Sequence, residues 1–173
     1  MKNARSENIS EHSLDTAMIA HALALIGNRF FDKKYPSEQI AMWALFHDCA
    51  EIITGDLPTP VKYYSSEIRN AYQEVEKVAV KQLLSLLPEE LREDYEKLLA
   101  EDQMPPEYRK LVKAADKLSA LAKCLEEKKS GNTEFREAEK TIHQALIKMD
   151  LPEVRYFMEQ FLPSYGLTLD ELK

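Results

Sequence analysis

Hydrophobic and polar residues in this 173-residue chain recur with the three-to-four-residue period of helices. The first such segment starts near Asn8 or Ser10 and runs to about Asn28. Asn8 with Glu11 three residues on resembles a capping box, and Ser10 is also a good N-cap. Its apolar stripe, Leu14, Met18, His21 and Leu25, is expected to face the core, with His21 as a core histidine. Pro36 and Ser37 open a second helix. Its heart is IAMWALFHDCAEII, residues 40 to 53. Ten of these fourteen residues are Ala, Ile, Leu, Met, Phe or Trp. A helix apolar nearly all round is expected to be buried on every side.

The rest of the chain continues the pattern. TGDLPTP (54 to 60) is a stiff loop: Gly55 permits a turn, and Pro58 and Pro60 hold Leu57 and Thr59 extended. A long helix is expected over about Ser65–Leu87, with apolar positions at Ile68, Tyr72, Val75, Val78, Ala79 and Leu83. Its spare apolar residues suit either core or an interface. Pro88 breaks it, and a helix over about 89–100 follows. Pro105 and Pro106 open another, which reaches Lys129 and ends at the Ser130-Gly131 signal. Asn132 or Thr133 is expected to cap the next, to about Met149. An amphipathic helix from Asp150 to Leu162 and a short tail helix over 167–172 complete an all-α chain. No repeat or linker divides it, so residues 1–173 read as one domain.

Composition narrows the function classes. The net charge of −7 and the lack of a basic stripe argue against nucleic acid as a partner. No apolar run approaches the roughly 20 residues of a membrane span, and the polar start lacks a signal core. The two cysteines, Cys49 and Cys124, read as free and buried thiols. A cytoplasmic location with no membrane partner is the expectation.

The candidate chemistry lies in the second helix. His47, Asp48 and Glu51 sit together near its end, with Glu51 at i+4 and i+3 from the other two. Unpartnered buried charges are costly, so such groups are normally paired, hydrogen-bonded or bound to a metal. His12, in the first turn of the first helix, and Asp116, on an apolar flank between Val112 and Ala120, have similar character. Two imidazoles and two carboxylates suit a borderline divalent transition metal, which lowers the pKa of a water it holds. Glu51 is placed to move protons. Each residue also has a plainer reading: His12 as a surface histidine, Asp116 as a satisfied helix carboxylate, Glu51 as an ion-pair partner, Asp56 as turn chemistry. His143 reads as exposed and inert, Cys49 as packing, and the run CLEEKK (124 to 129) as a solvated helix face.

The order H…HD…D, as His12, His47-Asp48 and Asp116, resembles the HD-domain metal-dependent phosphohydrolases. RSENISEHS (5 to 13), ALFHDCAEIITGDLPTPVKY (44 to 63), LVKAADKLSALAKCLEE (111 to 127) and MEQFLPSYGLTLDE (158 to 171) are similar to the matching segments of the bacterial 5′-deoxynucleotidases of that superfamily. The resemblance covers essentially the whole chain, and TGDLPTPVK is its most specific part. It implies an all-α, compact, single-domain HD fold, usually homodimeric. One divalent metal such as Co²⁺ or Mn²⁺ is held by His12, His47, Asp48 and Asp116. The implied activity removes phosphate from 2′-deoxynucleoside 5′-monophosphates, a small-molecule nucleotide substrate. Glu51 then serves proton transfer or water activation, Asp56 contacts the sugar 3′-hydroxyl, and Leu57, Pro58 and Thr59 line the nucleoside site.

Members of that family carry an Arg-Trp pair upstream of the segment matching MKNARSEN, the Arg for phosphate and the Trp against the ribose 2′-hydroxyl. This sequence begins at Met1, just after that point. Its single tryptophan, Trp43, lies inside the buried helix. Arg5 and Lys62 are the nearest candidate cations. Three other readings stay open: an HD phosphohydrolase of another nucleotide or phosphoester, a catalytically weak metal- or nucleotide-binding module, and a structural helical protein with a fortuitous polar cluster.

Overall fold

The computed structural model describes residues 7–57, 61, 64–100, 103–167 and 169–171. Among these residues the regular structure is helical throughout, with no strand. Helix α1 is Ile9–Phe30. Asn8 caps it as expected: its side chain accepts from the Glu11 N–H while the Glu11 carboxylate accepts from the Asn8 N–H. Helix α2 is Ser37–Phe46, and α3 is the single turn Glu51–Thr54. Then come α4 (Ser66–Ser85), α5 (Glu89–Leu99), α6 (Pro106–Lys129), α7 (Arg136–Lys148) and α8 (Pro152–Gln160). Short 3₁₀ turns over Leu162–Gly166 and Leu169–Glu171 close the described chain.

Helix α1 is the hub, packing on α2, α6 and α8. The seam between α1, α2 and α6 is built largely from small side chains. Ala20, Ala24, Ala44, Ala114 and Ala115 are fully buried there beside Leu23, Ile40, Leu111 and Leu118. Small residues let helix axes approach closely, and α1 and α6 are the elements that carry His12 and Asp116. The close seam is therefore what lets short side chains from separate helices meet.

This packing corrects the expected core stripe of α1. Leu14, Met18 and Leu25 are about half exposed, and His21 is half-buried rather than core. The buried residues are Ser13, Thr16, Ala17, Ile19, Ala20, Leu23, Ala24, Ile26 and Gly27, most of them small. Both stripes have helical spacing, and the smaller-residue stripe went inward because close approach requires it. Gly27 is part of this: a Cβ there would lie 2.6 Å from the Tyr35 ring.

Four further expectations change. The helix over 40–53 is interrupted at residues 47–50, and Met42, Ile52 and Ile53 are exposed. Cys49 therefore sits half-buried in a turn, whereas Cys124 is buried in α6. Only Ala79 of α4 is buried, while Val75 and Val78 face out. Helix α7 starts at Arg136 without a side-chain cap. The run 124–129 is not a solvated face, because Glu127 is 1% exposed and paired with Lys123 at 3.2 Å. The proline and glycine signals, in contrast, hold. Pro36, Pro88 and Pro105 precede helices, and Gly131 follows α6 with φ of +81°.

Candidate functional site

The break after α2 shapes the site. Through residues 47–53 the backbone bonds run to the third residue back: Cys49 N–H to Phe46 O at 3.2 Å, Glu51 N–H to Asp48 O at 2.9 Å, Ile52 N–H to Cys49 O at 3.2 Å. This is tighter winding than an α-helix. His47 reinforces it by donating its Nδ1–H to the Ala44 carbonyl at 2.7 Å. A carbonyl can only accept, so the Nδ1 of His47 carries the proton. In the neutral ring Nε2 is then a bare lone pair.

That Nε2 is buried and has no hydrogen-bond partner. It faces Asp48 Oδ2 at 3.1 Å and Asp116 Oδ1 at 3.9 Å. The Asp48 oxygen lies off the direction an N–H would take. His12 Nε2 points into the same space, 3.2 Å from Asp116 Oδ1 and 3.6 Å from Asp48 Oδ2. The two imidazole centroids are 5.5 Å apart. His12, His47 and Asp48 thus offer atoms all within 4.8 Å of one another, and Asp116 Oδ1 adjoins both rings. This set of two imidazole nitrogens and carboxylate oxygens could hold a divalent metal. The Nε2 of His47, buried and facing two carboxylates with no hydrogen bond of its own, fits that role.

The electrostatics agree. Burial works against charge on His47, yet the carboxylates of Asp116 and Asp48 lift its pKa to about 10. The hydrogen bond to Asp116 likewise raises His12. Burial alone would raise Asp116, but the two imidazoles outweigh it and hold the carboxyl far below its usual range. Without an ion the cluster is a knot of imidazolium and carboxylate, and a bound cation takes the place of those protons.

Sequence reasoning missed Ser119. It is buried on α6 one turn past Asp116, with Oγ 3.4 Å from His12 Nδ1. When His12 Nε2 is a ligand, Nδ1–H donates to Ser119, so α6 grips the ring from both sides. The i+3 step from Asp116 to Ser119 is the signal that could have found it. The Ala44 carbonyl plays the same part for His47, and no side-chain pattern betrays it.

The cluster opens into a cavity of about 680 Å³, within the range of small-molecule sites. His47, Asp48, Glu51 and Asp116 line one end. Trp43, Leu84, Leu98, Leu99 and Met104 supply an apolar wall, and Lys77, Lys81, Arg109 and Lys113 are also on the lining. Trp43 is thus a half-buried wall residue, not a fully buried one. Its indole donates to Lys97 O at 2.9 Å and stacks on Tyr108. A smaller hollow of about 240 Å³ beside His143 includes none of the His/Asp cluster.

The loop residues separate into two groups. Asp56 is exposed and Leu57 half-buried, and neither is on the cavity lining. Tyr72 of α4 anchors the start of the loop by donating to Gly55 O at 2.8 Å. Pro58, Thr59, Lys62 and Arg5 lie outside the described residues.

Over residues 1–165 the chain matches the family profile described as 5′-deoxynucleotidase YfbR-like. The 5′-deoxynucleotidase of Shewanella oneidensis is 48% identical over 172 residues, spanning 99% of this chain and 88% of that protein. The 5′-deoxynucleotidase of Yersinia pestis is also 48% identical, over 99% of this chain and 87% of that one. Among solved structures, an HD-domain phosphohydrolase from Listeria innocua matches with a TM-score of 0.83 at 26% identity, covering 95% of this chain and 79% of that chain. No described helix is long and apolar enough to cross a membrane.

Proposed function

The chain belongs to the YfbR-like 5′-deoxynucleotidase family and has the HD-domain phosphohydrolase fold, and from that premise we propose that it removes the 5′-phosphate of 2′-deoxynucleoside 5′-monophosphates. It is a phosphoric monoester hydrolase by the same kinship. The observation that carries the reading is the convergence of His12, His47, Asp48 and Asp116 beside one end of a cavity of about 680 Å³.

These four residues would hold one divalent ion, Co²⁺ or Mn²⁺ by family analogy. Such an ion supplies Lewis acidity toward a phosphoryl oxygen and hydroxide near neutral pH. The chain's own groups do the rest. The Ala44 carbonyl and Ser119 fix the two imidazole tautomers. Glu51, on the lining one turn from Asp48, delivers a proton to the 5′-oxygen as the phosphorus–oxygen bond breaks. The apolar wall around Trp43 excludes water from the nucleoside end. Family analogy gives Asp56 the sugar 3′-hydroxyl and Leu57, Pro58 and Thr59 the nucleoside, with Arg5 and Lys62 as cations for the phosphate.

The protein works in the cytoplasm as a homodimer in this reading. The outward stripe of Leu14, Met18 and Leu25 on α1 supports a second copy as its cover.

Phosphate release from deoxy-AMP and AMP, with Co²⁺ or Mn²⁺ supplied, tests the activity in the native chain and in Asp48→Ala. The expected result is release from deoxy-AMP exceeding that from AMP, abolished in the variant. Metal bound without release from either nucleotide overturns the assignment.

A further inference from the structure

The apolar side of the cavity is aliphatic except at one point. Among its described lining residues Trp43 is the one aromatic side chain, set with Leu84, Leu98, Leu99 and Met104. It is also the single tryptophan of the chain. Its place follows from helical register. Trp43 precedes His47 by four residues, so it stands one turn back on the same side of α2, a rise of about 6 Å.

The ring is held in place by the protein itself. It stacks on Tyr108 at 28°, with centroids 5.9 Å apart, and Tyr108 in turn meets Tyr35 edge-on. The indole N–H donates to Lys97 O at 2.9 Å. An indole has no second donor and no acceptor. Its hydrogen-bonding capacity is therefore spent, and what it offers the cavity is π surface. Met104, 4% exposed, adds a polarizable thioether to the same lining. A plate fixed in this way loses little freedom when a ligand stacks on it. Every nucleobase has a π-face, whatever pattern of donors and acceptors its edge carries.

We propose that Trp43 is the base-stacking platform of this site. It takes the π-face of the nucleobase while the phosphate lies against the His/Asp cluster, so purine and pyrimidine deoxynucleotides are both admitted. The proposal rests on the nucleotidase reading above and names where that substrate's base sits.

The test uses the full chain loaded with Mn²⁺, with Trp43→Leu and Trp43→Phe variants. Two constants are measured: the KM of deoxy-AMP, and the inhibition constant of 2-deoxyribose 5-phosphate, which has the phosphate and sugar without the base. Loss of one stacked base is expected to raise the KM of deoxy-AMP about tenfold or more in Trp43→Leu. The inhibition constant of 2-deoxyribose 5-phosphate stays as in the native chain. Trp43→Phe, which keeps a π-face but not the indole N–H, recovers part of the loss. An unchanged KM in Trp43→Leu overturns the proposal, as does a Trp43→Phe variant no better than Leu. Equal weakening of both compounds also overturns it, because Trp43 would then only support the wall. A second readout needs no turnover: deoxyadenosine titrated into the native chain should quench the fluorescence of Trp43, and 2-deoxyribose 5-phosphate should not. If the native chain hydrolyses no deoxynucleotide, the activity assignment fails and the fluorescence decides this point alone. Quenching by deoxyadenosine only then sustains the proposal, and no quenching overturns it.

Discussion

Helix α6 carries two acidic side chains in opposite situations. Asp116 sits midway along it, and its carboxylate reaches across the bundle to imidazoles on α1 and the turn after α2. Glu127 sits near its end and is deeper in the protein, yet two of its partners are local. Lys123, one turn back, lies 3.2 Å from Oε1, and Asn132, just past the helix, donates to Oε2 at 2.8 Å. Glu127 is closed into its own turn of backbone. The Asp116 cluster leaves a buried imidazole nitrogen facing a cavity. Burial of charge does not mark function. The informative difference is whether the local chain completes the group or leaves it open toward a space.

Substitutions on α6 can break that comparison. Asp116→Ala has the largest expected effect, a loss of kcat/KM on the order of a thousandfold. The melting temperature of the metal-free protein should fall less than in Glu127→Ala, because Asp116 is partly exposed and Asp48 still faces both imidazoles. A large drop in melting temperature with activity intact would reverse the assignment. Glu127→Ala should do the opposite. It removes the carboxylate beside Lys123, whose side chain is 13% exposed, and breaking a buried pair costs about 3–5 kcal/mol. For a chain of this length that is roughly 6–20 °C in melting temperature. The folded fraction should keep its kcat/KM. Thermal melts and phosphate release on the same two preparations check both.

The elements of this fold were legible because the chain punctuates them. Asn8 with Glu11, the prolines at 36, 88 and 105, and Gly131 each act through local backbone chemistry. Which face turned inward was less legible. On α1 a large apolar stripe competes with one of alanine, serine and glycine, and spacing cannot rank them. The winner was set by how closely α2 and α6 must approach. The break at 47–50 was hidden because IAMWALFHDCAEII contains no breaker. It is sustained by the His47 Nδ1–H bond to Ala44 O, which periodicity does not see. For the site, the meeting of His12, His47, Asp48 and Asp116 was readable through resemblance, whereas Ser119 looked like an ordinary helix residue. Burial of Glu127 was unreadable in CLEEKK because its second partner, Asn132, lies outside the helix.

Ser119→Ala sharpens the comparison within the site itself. It leaves all four candidate ligands and removes only the acceptor that sets the His12 ring. Such a change typically weakens metal affinity about 10–100-fold. Activity should therefore return when Mn²⁺ is raised, unlike in Asp116→Ala. A metal titration of phosphate release separates the two. Full loss at every metal concentration would mean that Ser119 acts on something other than His12.

Asn132 gives the smallest effect and the sharpest discrimination. By its sequence it reads as a helix cap, and at an N-cap Asn and Asp are nearly equivalent. In the structure its side chain accepts from the Glu134 N–H at 3.1 Å but also donates to Glu127 Oε2, and α7 starts only at Arg136. Asn132→Ala removes one hydrogen bond to a charged group, a loss of about 1–3 kcal/mol. Asn132→Asp keeps the acceptor that a cap would need but sets a carboxylate against that of Glu127. If its role is to complete Glu127, Asp must be worse than Ala in a thermal melt. If its role is the turn toward Glu134, Asp must be close to native. The order of the two melting temperatures decides which end of the Asn132 side chain the fold depends on.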